Sequence, residues 1–98
     1  MSTRLLFRPE ARLDIEDAAG WYEDQRSDLG RRLAGEITSL LDRIRKTPLQ
    51  FPVVGEGVRR GLLHRFPYAV YFLLEDDAVT VLAVLHQRRD PELWKRRL

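Results

Sequence analysis

Apolar positions along this chain change their period at proline and glycine, and each change marks an element. Thr3 to Arg8 (TRLLFR) is a short run with apolar centre, which predicts a first strand. Pro9 follows where a helix tolerates proline, at its first position, and Glu10 stands where the helix dipole favours an acid. Ala11, Ile15, Ala18 and Tyr22 then recur at spacings of four, three and four, which is one face of a helix. Asp14, Glu16, Asp17 and Asp24 fall on its opposite face. Ser27 is the expected cap of a second helix, along which Leu29, Leu33, Ile37, Leu40, Leu41 and Ile44 form a continuous stripe. Thr47-Pro48 ends it, because a residue before proline is driven out of the helical region. With so few residues between them, the two helices are expected to form an antiparallel hairpin.

Residues 48–57 (PLQFPVVGEG) hold two prolines and two glycines and read as a loop over the sheet. Val58 to Phe66 reads as a strand, broken by Phe66-Pro67. Tyr68 to Leu74 (YAVYFLL) and Ala78 to Leu85 (AVTVLAVL) are runs of aromatic and branched residues around a Glu75-Asp76-Asp77 turn. Both faces of the last run are apolar, which predicts a strand covered on both sides. The helix hairpin covers one face. The tail supplies part of the other, since Asp90-Pro91-Glu92 is a good helix start followed by Leu93 and Trp94, and a bound partner is expected to supply the rest. Tight turns between the last three strands predict antiparallel pairing. The expected fold is α+β, a single domain over residues 1–98: an N-terminal strand, an α-helical hairpin packed on a small antiparallel sheet, and a short C-terminal helix.

Composition narrows the chemistry. Of 98 residues, 44% are apolar and 33% charged, the balance of a soluble globular domain with one modest core. The absence of cysteine removes a disulfide framework, a cysteine-based zinc site and thiol catalysis together. No apolar run approaches a signal peptide or a membrane span, so the expected location is the cytoplasm, with no membrane partner. The net charge is only +2, but it is unevenly spread. Residues 10–28 hold seven acids against two bases, whereas residues 31–46 and residues 86–98 each hold five bases against two acids. Fifteen of the 17 bases are arginine, the better fork for phosphate and carboxylate. These clusters are either solvated helix faces or the footprint of an acidic or nucleic-acid partner.

Candidate catalytic groups are few. Ser2, Ser27 and Ser39 do not stand in a nucleophile elbow, and Gly55-x-Gly57 is too short for a phosphate loop. His64 and His86 are the only histidines, with no carboxylate at ligand spacing, so neither a metal nor another cofactor is expected. What remains is a cluster the sheet can assemble: Arg59, Arg60, His64 and Arg65 on one strand, and His86, Arg88 and Arg89 after the last. Imidazoles among arginines are one way to cleave RNA without a metal, histidine moving protons and arginine stabilising the phosphorane. The plainer reading makes the arginines solvated strand positions and ties His86 to backbone. Trp21 and Tyr22 suit either stacking on a base or packing in a core or interface, and Trp94 is expected to pack the tail onto the sheet.

Five segments together carry a resemblance. They are Phe7-x-Pro9-x-Ala11 before Asp14-Ile15, Trp21-Tyr22-Glu23, Pro48 closing the second helix, Phe66-Pro67-Tyr68-x-Val70-x-Phe72, and Val84-Leu85-His86-x-x-Arg89-x-Pro91-x-x-Trp94. In their order and spacing they resemble, nearly end to end, the RelE/ParE superfamily of toxins from bacterial type II toxin–antitoxin modules. That resemblance implies growth inhibition, a cognate antitoxin that wraps the toxin as a helix and an extended strand, a toxin–antitoxin hetero-oligomer, and a role such as plasmid stabilisation. One branch of the superfamily cleaves mRNA on the ribosome, and its members resemble one another in a third-strand arginine before an aliphatic–aromatic pair. Tyr68 fills that position here, and Arg65 lies three residues earlier. The other branch, similar to ParE, binds DNA gyrase and stabilises its cleaved DNA complex. The Trp21-Tyr22 helix and the Val84-Leu85-His86 pattern look more like this second branch. The resemblance therefore implies binding rather than catalysis; partner contacts are expected at Trp21, Tyr22, Arg88, Arg89 and Trp94 and, from the charge of the tail alone, at Lys95, Arg96 and Arg97. The alternative is a ribosome-dependent mRNA endonuclease with His86 as general acid or base and Arg65 or Arg59 on the phosphate. A third reading is a non-toxic homologue that keeps only antitoxin binding.

Overall fold

A computed structural model describes residues 3–88 and 92–98 of the chain. Strand β1 (Arg4–Phe7) leads into helix α1 (Pro9–Gln25), whose first N–H groups have no intrahelical partner, so the proline at the start costs nothing. The inward face is the expected one: Ala11 and Ala18 are buried, and Ile15 and Tyr22 pack on the same core. Helix α2 (Leu29–Lys46) buries Leu33, Ile37, Leu40, Leu41 and Ile44 and stops before Pro48. The helices meet closely at Gly30, where a β-carbon would lie 2.4 Å from the Ala19 carbonyl oxygen. The turn between them is held differently from expectation. Ser27 does not cap α2. Asp28 takes the cap position in the left-handed conformation, φ 76°, and the Glu23 carboxylate accepts the N–H groups of Asp28 and Gly30, each at 2.9 Å. A side chain reaching forward from α1 thus does the work of a local cap.

The remaining elements are a 3₁₀ turn (Pro48–Gln50), β2 (Val53–Gly55), β3 (Val58–Leu62), β4 (Tyr68–Glu75), β5 (Ala78–His86) and a 3₁₀ turn (Leu93–Arg97). They form a five-stranded sheet in the order β1-β5-β4-β3-β2. The last three strands pair antiparallel, as expected. Three details depart from the sequence reading. Residues 48–57 are not all loop, because Val53–Gly55 pairs with β3 as an edge strand. β3 ends at Leu62 rather than Phe66, and His64 and Arg65 leave the sheet because their backbone N–H groups bond to the Glu36 carboxylate on α2, at 2.6 and 2.9 Å. β1 lies parallel to β5, with Phe7 opposite Val81, so the sheet is mixed at that edge. The expected helix start at Asp90-Pro91, and Arg89 before it, lie outside the described residues.

The two sheet faces bury separate cores. Val70, Phe72, Val79, Val81 and Val84 meet the helices; Val58, Ala69, Tyr71, Leu82, Ala83 and Leu85 meet Trp94. Trp94 is 2% exposed, stacks on Tyr71 at 5.9 Å between centroids, and crowds Gly55, whose added β-carbon would sit 3.3 Å from the indole. The expected partner cover is not needed over the middle of this face, because Ala69, Leu82 and Ala83 are already fully buried without it. Among the described residues, no helix is long and apolar enough to cross a membrane.

Candidate functional site

Tyr22, Phe66 and Tyr68 form an aromatic wall between the helix hairpin and the sheet. Tyr22 meets Phe66 edge-on at 5.0 Å and Tyr68 at 6.1 Å. Pro67 stands just before β4, and Tyr68, the first residue of that strand, meets the His86 ring in an edge-type contact at 5.3 Å. One hollow, of about 320 Å³, opens on the His86 side and is lined by Asp14, Asp17, Ala18, Trp21, Tyr68, Val84, Leu85 and His86. A second, of about 620 Å³, opens on the other side and is lined by Tyr22, Leu29, Arg32, Gly35, Glu36, Ser39, Arg65 and Phe66.

These hollows sort the residues singled out in the sequence. His86 lines the first and Arg65 the second, with the aromatic wall between them. Arg59 lies within β3 opposite Phe72, and its guanidinium donates to the Phe51 carbonyl at 2.7 Å. Arg60 lies opposite Tyr71, with its Nε enclosed. His64 is exposed in the β3–β4 loop. The Nδ1 of His86 accepts the Arg88 N–H at 3.1 Å, the backbone tie that the plainer reading expects. Trp21 is 47% exposed, whereas Tyr22 is half-buried in the wall. Arg88, Lys95 and Arg96 are exposed, and Lys95 leans over the Trp94 ring and pairs with Glu92 at 3.1 Å. Trp94 faces inward, as the packing reading has it, and offers almost no surface to a partner.

Asp14 is the residue that periodicity misplaces, and its partner is Arg97, expected from the sequence among the partner contacts. Asp14 is not on a solvated face of α1. It turns toward β5, which outruns β1 and beyond Val81 has no neighbouring strand on that side. A bulge opposite Tyr71 and Phe72 leaves Leu82 without a register partner. Arg97 donates to the Leu82 carbonyl at 3.1 Å and forks onto both Asp14 oxygens at 2.6 and 3.1 Å, and Asp14 accepts the Val84 N–H at 2.9 Å. A bidentate guanidinium–carboxylate pair thus seals the bare strand edge and ties down the tail. No local signal in the sequence links Asp14 to a residue so distant; a lone acid between the inward and outward faces is the only hint. The Glu23 carboxyl is held below its ordinary value by the N–H of Asp28, then by that of Gly30. Among the described residues, no group of three or more histidine, aspartate or glutamate side chains is placed to hold a metal ion.

A family model described as the ParE toxin of type II toxin–antitoxin system, parDE, matches residues 5–91. A search of the curated proteins finds no match. Among solved structures, the chain is similar to a chain of the chromosomal ParDE system from P. aeruginosa, with a TM-score of 0.77 and 17% identity over 87% of this chain and 96% of that one. It is also similar to a chain of the toxin–antitoxin complex RelBE2 from Mycobacterium tuberculosis, with a TM-score of 0.62 and 21% identity over 88% of this chain and 99% of that one. At such identities the structural likeness speaks for the fold, and the family model speaks for the family.

Proposed function

The chain belongs to the ParE toxin family of type II toxin–antitoxin systems, and on that premise we propose that residues 1–98 act as one toxin domain that binds DNA gyrase and stabilises its cleaved DNA complex. A cognate antitoxin silences it in a hetero-oligomer. The activity is one of binding. The observation that carries this over RNA cleavage is the dispersal of the candidate catalytic set: His86 and Arg65 line hollows on opposite sides of the aromatic wall, and Arg59 is committed to the Phe51 carbonyl. General acid–base cleavage needs its proton carrier and its phosphate ligand around the same scissile bond. The exposed Trp21, Arg88, Lys95 and Arg96 offer instead an aromatic anchor and cationic groups for a protein or protein–DNA target.

Inducing the chain without its antitoxin and pulse-labelling DNA and protein synthesis in the same culture tests this. DNA synthesis is expected to stop first, with double-strand breaks, and purified gyrase is expected to accumulate linear DNA when the chain is added. His86→Ala should retain both effects. Protein synthesis stopping first, with mRNA cut in frame and activity lost in His86→Ala and Arg65→Ala, would replace the gyrase reading with the endonuclease one.

A further inference from the structure

We propose that the hollow between the turn end of the helix hairpin and the β3–β4 loop docks an acidic segment of the antitoxin, seating one apolar side chain on Tyr22, Leu29 and Phe66 and one carboxylate on Arg32 and Arg65. The inference rests on the antitoxin half of the functional reading and adds to it a site and a peptide chemistry. A volume of about 620 Å³ accepts a large side chain and its neighbours. Its apolar part comes from two aromatic rings already fixed against each other and from half-buried Leu29, so little ordering is left for the partner to impose. Gly35 opens the hollow: a β-carbon there would meet nothing within 4 Å, although glycine inside a helix costs about 1 kcal/mol against alanine. Absence of a side chain where the helix would be better off with one leaves room for someone else's.

Charge selects the occupant. The Glu36 carboxylate is engaged with the N–H groups of His64 and Arg65, which fixes the loop that carries Arg65. The Arg65 guanidinium has no partner among the described residues, and that of Arg32 reaches only Asp28, at 4.0 Å. Two guanidinium groups against one engaged carboxylate favour an incoming anion, and arginine forks onto carboxylate. The apolar rings and the Gly35 opening favour a peptide over a nucleic-acid phosphate.

The test is calorimetric titration of the purified chain with the antitoxin encoded beside it. Gly35→Trp fills the hollow, and Arg65→Glu reverses one cation on an exposed loop, where folding is least at risk. Each is expected to weaken binding at least about tenfold while the melting temperature holds. Both variants should remain toxic in cells that express the antitoxin. Wild-type affinity in both would overturn the docking site alone. Failure of the wild-type chain to bind would overturn the antitoxin reading and the site with it, leaving the gyrase assay to stand or fall separately. If Arg65→Glu instead loses a single-stranded RNA oligonucleotide and keeps the antitoxin, the hollow is a nucleic-acid site and the proposal is wrong.

Discussion

The two faces of this sheet solve one problem by unlike means. The helix face is closed by the apolar stripes of α1 and α2, and many medium-sized side chains share the burial. The other face is closed by one indole on a five-residue turn, held by one guanidinium fork. Burial spread over a stripe survives the loss of a member, since neighbours relax into part of the space. Burial concentrated in a plug is lost with the plug. Two solved chains of similar fold share only 17% and 21% identity with this one, and the distributed face is the kind that tolerates such drift.

That contrast can be broken by substitution. Trp94→Ala should have the largest effect, lowering stability by about 4 kcal/mol, measured by denaturant unfolding, and exposing the sheet to an apolar dye. A loss under about 1 kcal/mol would mean the second face is no core. Leu33→Ala on the helix face should cost about 3 kcal/mol without dye binding, because the stripe closes around the gap. Arg97→Met should cost about 2 kcal/mol, below the figure for a fully buried pair because the two side chains retain 13% and 16% exposure. It should also speed amide exchange at Val84, whose N–H then loses a fixed acceptor. Glu23→Ala should be the mildest and should depend on pH. The carboxyl of Glu23 lies below its ordinary 4.5 when folded, so its stabilisation is present at neutral pH and is lost as the pH falls through the lowered value. The variant's deficit in melting temperature, a few degrees at neutral pH, should vanish in acid.

What could be read from the sequence divides along the same line. The α2 stripe and the runs at 68–74 and 78–85 announce themselves, since period and residue type act within a few positions. The hairpin and the antiparallel order follow from short connections. β2 was hidden between Pro52 and Glu56, where three residues are too few to show alternation. The parallel docking of β1 on β5 leaves no mark on β1 itself, because either neighbour would suit Leu5 and Phe7. Asp14 sits between the faces of α1, and only the distant Arg97 decides which way it turns. For the candidate site, the aromatic residues around Pro67 were visible as a motif. The hollow lined by Gly35 was not, because a missing side chain in a helix has no pattern.

The pairing of β1 with β5 also sets a schedule. Arg4 pairs with Ala78 and Asp14 with Arg97, contacts 74 and 83 residues apart in sequence, so β1, made before the other strands of the sheet, is among the last to find its neighbour. Until residues 78–81 and 97 have emerged, the edge of the sheet and the plug on its far face do not exist. A toxin-family domain built this way is not finished piecemeal: the surface an antitoxin would meet is complete only once β5 and the tail are in place.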